Sequence, residues 1–206
     1  MSGLKIVRYG AWAAVVLVAF AGATLMINQF RTIDKDELVA PISEIGGPFE
    51  LVDGATGKTV TEADFKGKPS AYFFGYTFCP DVCPTTLAET QGWIEELGED
   101  ADKMNFAFVS VDPERDTPEI VGDYVSAFDK RIHALSGSQE QIDKIVKNYR
   151  VYVKKVTRTN GEYLVDHSAG VYLMDANNEF RGTISYGESH ENAVAKLRRL
   201  IENSGA

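Results

Sequence analysis

The sequence predicts an α/β fold with a mixed central sheet and flanking helices, preceded by one transmembrane helix. Strand-like and helix-like periods alternate through the middle of the chain, which calls for parallel strands joined by helical crossovers. Towards the C-terminus, short strand pairs flank tight turns, which calls for antiparallel pairing. The opening residues differ in kind. Lys5 and Arg8 precede an uncharged run from Gly10 to Ile27, close to the ~20 residues that cross a bilayer as a helix.

That first run has the marks of an anchor. Tyr9 and Trp12 stand near its leading edge, where amphipathic rings prefer the membrane interface. The positive residues all lie before it, so the N-terminus is expected in the cytoplasm and the remainder outside. A cleaved signal peptide is the alternative, because Ala19-Phe20-Ala21 and Ala21-Gly22-Ala23 fit a small-residue cleavage pattern. The apolar run continues through Thr24 to Ile27, which favours an uncleaved anchor. No long Arg- and Ser-rich presequence is present, so the expected address is the bacterial inner membrane, with the domain in the periplasm. The expected organisation is residues 1–30 as cytoplasmic tail and anchor, 31–47 as tether, and 48–206 as the folded domain.

The folded part is acidic. The chain has 21 basic and 30 acidic residues, a formal net charge of −9. Such a domain repels phosphate backbones, so nucleic acid is not an expected partner. No long apolar surface stripe stands out, which favours a monomer.

In chain order, Phe49 to Val52 alternates like a strand, Asp53-Gly54 turns, and Lys58 to Val60 pairs back. Gly67-Lys68-Pro69 leads into an apolar strand from Ser70 to Tyr76. Leu87, Gln91, Ile94 and Leu97 then keep helical spacing up to Gly98. Asn105 to Val111 is a buried-strand pattern. Thr117-Pro118 opens a helix as cap and first residue, with Ile120, Tyr124 and Phe128 as its apolar positions. Ile132 to Leu135 is a short strand. Ser138 and Gln141 form a capping box before the helix of Ile142, Ile145 and Val146. A hairpin around Asn160-Gly161, strands on either side of Asn177-Asn178, and a helix capped by Ser189 complete the chain.

The chemistry lies where the apolar strand meets its helix, in Cys79-Pro80-Asp81-Val82-Cys83. These are the only cysteines in the chain. A structural disulfide is one reading in an exported protein, though it would close a very short loop and stabilise little. Reactive sulphur is the other. With Pro84 as first helical residue and Cys83 as cap, both thiols would sit by unpaired N–H groups, which stabilise thiolates. Thiolate pairs suit disulfide exchange and soft ions such as Cu(I), and also Zn(II).

A third ligand would have to come from three histidines. His133 fits a packed or edge position and His190 an exposed one. His167 lies in a polar loop, Val165-Asp166-His167-Ser168, before a strand. If that strand neighbours the cysteine strand, the loop falls beside the thiols. Pattern alone leaves its role as a ligand open. Asp166 or a backbone carbonyl would orient the ring. Asp112 and Asp116 read first as turn and helix-start residues, with a supporting or partner-facing role as the alternative.

Four features together resemble the Sco (SenC) family of copper-handling proteins of cytochrome c oxidase assembly. They are the anchor, F-F-G-Y-T-F-C-P-D-V-C-P ending at Pro84, V-S-V-D-P-E-R-D-T-P at Val109 to Pro118, and D-H-S at Asp166 to Ser168. The likeness runs from about Gly47 to the C-terminus. It implies a thioredoxin-like fold with an extra β-hairpin, and copper, as Cu(I) and Cu(II), bound by Cys79, Cys83 and His167. It further implies a metallochaperone serving the dinuclear copper site of cytochrome c oxidase subunit II, with periplasmic copper chaperones or thiol reductants as other partners. The competing expectation is a thiol–disulfide oxidoreductase that keeps the oxidase cysteines reduced and uses Cys79 and Cys83 without His167. Peroxidase activity is a weaker third, with no feature for peroxide activation.

Overall fold

The computed structural model describes residues 45–159 and 161–204, with isolated helical positions at Tyr9, Trp12, Leu17, Phe20 and Thr24. The chain divides into two units, Met1–Ile42 and Ser43–Ala206. Apart from those isolated positions, the expected membrane span lies outside the described residues. Among the described residues, no helix is long and apolar enough to cross a membrane.

In the second unit the elements run β1 (Glu50–Asp53), β2 (Lys58–Thr61), β3 (Ser70–Gly75), α1 (Val82–Leu97), β4 (Asn105–Ser110), α2 (Pro118–Ser126), β5 (Ile132–Ser136) and α3 (Gln139–Asn148). There follow β6 (Val153–Thr157), β7 (Tyr163–His167), β8 (Val171–Met174), β9 (Phe180–Ile184) and α4 (His190–Asn203). Seven strands make one sheet in the order β2-β1-β5-β4-β3-β8-β9, while β6 and β7 pair only with each other. β3, β4 and β5 are mutually parallel through the α1 and α2 crossovers. β8 runs antiparallel to β3, matching Phe73 with Val171.

The central strands are apolar throughout because both faces are covered, as parallel sheets require. All six residues of β3 are buried. Below the sheet Phe49, Phe65, Tyr72 and Tyr149 interlock, with Phe49 to Tyr72 at 6.2 Å and Tyr72 to Tyr149 at 5.4 Å. Each fully buried large side chain contributes about 1.5–3 kcal/mol, against ~0–1 kcal/mol for an exposed ion pair. The core therefore outweighs surface pairs such as Lys103–Asp100.

Helix α2 and His167 depart from expectation. On α2 the buried positions are Val121, Gly122 and Val125, while Ile120 is exposed and Tyr124 only half-buried. The buried stripe is one residue further along because Gly122 lies directly on Gly54, whose carbonyl oxygen would be 2.6 Å from a β-carbon on Gly122. His167 is the last residue of β7, not part of a loop. Asn160 lies outside the described residues. Gly161 beside it takes φ +87° and its N–H donates to the Arg158 carbonyl at 3.1 Å, so the hairpin turns where expected.

Candidate metal centre

The last residue of β3 is Gly75, where a side chain has no room. A β-carbon on Gly75 would lie 2.8 Å from Cys83 Sγ and 2.8 Å from the Phe108 ring. The chain then turns, with the Cys79 N–H donating to the Tyr76 carbonyl. α1 starts at Val82, two residues earlier than expected, so Cys83 is its second residue and Pro84 its third. Proline is tolerated there because first-turn N–H groups have no partner within the helix. The shift has a chemical consequence. The unpaired Cys83 N–H donates to Cys79 Sγ at 3.4 Å, which draws the two sulphurs together.

His167 arrives from the hairpin. Its Nε2 lies 3.4 Å from Cys83 Sγ, and its Nδ1 is 3.0 Å from the Ser168 carbonyl. A carbonyl only accepts, so Nδ1 carries the proton and Nε2 turns its lone pair towards the sulphurs. The Ser168 carbonyl orients the ring, and Asp166 is exposed beside it. Phe73 and Tyr76 hold the imidazole edge-on, with centroids at 6.0 and 5.8 Å. The ligand atoms of Cys79, Cys83 and His167 all lie within 4.8 Å of one another. Cys79 and His167 open onto a cavity of about 360 Å³, while Cys83 is fully buried behind them.

The electrostatics divide the sulphurs. Cys79 accepts a hydrogen bond from the Cys83 thiol, which outweighs burial and, with the N–H groups of Asp81 and Cys83, lowers its pKa to about 3. Cys83 moves far upward because it donates to Cys79 and because it is buried. The pair thus holds one thiolate, half-buried at the rim, and one thiol beneath it.

The other expected residues are elsewhere. His133 Nδ1 is 2.7 Å from Asp53 at the β1–β5 contact, and His190 Nε2 is 2.6 Å from Glu96 on the surface. Asp116 is buried and receives Thr77 N–H, Thr77 Oγ1 and Ser110 Oγ, at 3.0, 2.5 and 2.6 Å. It thereby pins the turn that carries Cys79. Asp112 is bound by Arg115 Nε at 2.5 Å and the Tyr163 hydroxyl at 2.8 Å. Neither aspartate joins the donor cluster. Sequence reasoning did not single out Thr77, Arg115 or Tyr163. Arg115 stands inside V-S-V-D-P-E-R-D-T-P, where the motif itself offered the signal.

Two thiols and an imidazole at the head of a helix, on a thioredoxin-like sheet with an added hairpin, define a soft-metal-binding thiol domain. The SCO1/SenC family model matches residues 39–202, and the chain belongs to that family. It is 34% identical to the mitochondrial protein SCO2 of Saccharomyces cerevisiae, over 95% of this chain and 68% of that protein. It is 37% identical to SenC of Rhodobacter capsulatus, over 79% of this chain and 75% of that protein. The structure of Bradyrhizobium japonicum ScoI with copper bound is 49% identical, with a TM-score of 0.71 over 76% of this chain and 99% of that one.

Proposed function

We propose that this chain is a membrane-tethered copper metallochaperone of cytochrome c oxidase assembly. Cys79, Cys83 and His167 would hold the ion, which is passed to the dinuclear copper site of oxidase subunit II. The observation that carries this reading is the convergence of three soft or borderline donors within 4.8 Å, two of them on an open cavity. Thiolates favour Cu(I), and the imidazole extends the site to Cu(II) with water as a further donor. Transfer is ligand exchange at the exposed rim, beginning at Cys79, with no covalent turnover. The uncharged run Gly10–Ile27 behind Lys5 and Arg8 supports an inner-membrane tether with the domain in the periplasm. A tether raises the local concentration of the client.

The low pKa of Cys79 favours a second reading, thiol–disulfide exchange. In it, the Cys79 thiolate attacks a client disulfide, and Cys83 then displaces the reduced client and leaves a Cys79–Cys83 disulfide. A periplasmic dithiol would reduce that disulfide again. His167→Ala separates the two. As a chaperone, the variant loses most copper binding and fails to support oxidase assembly. If His167→Ala supports assembly and Cys79→Ser does not, exchange is the function.

A further inference from the structure

The β6–β7 hairpin shares no ladder with the seven-stranded sheet, yet it delivers His167. Along β7 alternate residues share a face, so Tyr163, Val165 and His167 all turn towards the body of the domain. Arg115 meets the first of them. Its Nε bonds Asp112 Oδ2 at 2.5 Å, and its Nη1 donates to the Tyr163 carbonyl at 3.2 Å. The guanidinium carbon lies 3.8 Å from the Tyr163 ring centroid and 4.8 Å from that of Phe78, which adjoins Cys79. The Tyr163 hydroxyl donates to Asp112 Oδ1 at 2.8 Å and closes the circuit. Arg115 Nη2 is buried with no hydrogen-bond partner among the described residues, so aromatic faces hold that side of the cation.

We infer that Arg115 is a positioning residue for His167, clamping Tyr163 so that β7 delivers the imidazole to Cys79 and Cys83. This rests on the ligand role proposed above for His167. The clamp needs a planar fork and a stacking face together. Lysine supplies neither, so charge alone does not replace it.

The test uses the full-length chain as Arg115→Met, Arg115→Lys, His167→Ala and Arg115→Met/His167→Ala, with amide hydrogen exchange and copper titration. In Arg115→Met, exchange from Leu164 to His167 accelerates while β3 and β4 keep their protection. Copper affinity falls about 10- to 100-fold, the range for losing a group that orients a ligand. The double variant binds copper no more weakly than His167→Ala, and Arg115→Lys does not restore affinity. Unchanged exchange in β7, or a double variant showing the product of the two single losses, overturns the proposal. If Arg115→Met does not fold, Tyr163→Phe makes the comparison instead by removing the hydroxyl's bonds to Asp112 and Glu114. If β7 loosens but neither Arg115→Met nor His167→Ala alters copper binding, the ligand reading fails while the clamp on the strand stands.

Discussion

Cys83 Sγ occupies the space beside Gly75 that any other residue would need. Gly75→Ala forces either the sulphur or the Phe108 ring to move, and overpacking of this kind costs about 1–3 kcal/mol. We expect a lower melting temperature and weakened copper binding together, measured by calorimetry and copper titration. The sulphurs also differ in reactivity. A thiolate is the nucleophile, and the pKa of Cys79 is lowered while that of Cys83 is raised. Iodoacetamide should therefore modify Cys79 in the copper-free protein at a rate nearly flat from about pH 8 down to about pH 5. Cys83 should stay unmodified over the same range, read by mass spectrometry of peptides. Equal labelling of both, or a rate falling tenfold per pH unit below pH 8, contradicts the shared-proton arrangement. The cysteines were legible in the sequence as the only pair at a strand–helix junction. His167 was not fixed by pattern, because its place depends on a hairpin 84 residues from Cys83.

Strands β3, β4 and β8 were readable because their apolar runs had only one use, the covered centre of a sheet. Helix α2 was read correctly at its start, but Phe128 lies beyond its end at Ser126 and Ile120 is exposed, while Tyr124 packs against the core as expected. Ile120 is a large apolar side chain, yet the fully buried positions are Val121, Gly122 and Val125, and the close approach to Gly54 is set by the smallest of them, Gly122. A β-carbon at Gly122 would meet the Gly54 carbonyl oxygen at 2.6 Å, and one at Gly54 the Pro118 carbonyl oxygen at 1.8 Å. Both neighbours are backbone and cannot rotate away. Gly122→Ala should cost about 1–3 kcal/mol, while Ile120→Ala on the exposed face should change stability by no more than about 0.5 kcal/mol. Urea unfolding of the two variants checks the order. The start of α1 was misplaced by the weight given to Pro84, whose third position avoids any clash within the helix.

At the scale of the whole molecule, the chain carries a formal net charge of −9, and the stability of its folded part in acid depends on particular carboxylates. Burial pushes the Asp53 carboxyl up, yet hydrogen bonds from His133 and from backbone N–H groups outweigh it and hold the pKa below the ordinary value. A depressed carboxyl contributes stability that is full above its unfolded pKa, ~3.9, and is lost as pH falls through the folded value. His133→Asn should therefore move the acid-unfolding midpoint to higher pH, followed by circular dichroism. An unchanged midpoint would mean that the β1–β5 contact does not depend on this pair.

On the proposed function, copper sits among two sulphurs and one imidazole nitrogen. X-ray absorption at the copper edge, on the copper-loaded full-length chain and its His167→Ala variant, addresses it directly. Two sulphur neighbours and one imidazole are expected in the native protein, with only the imidazole signal lost in the variant. A native spectrum without imidazole, or one unchanged by His167→Ala, would contradict it.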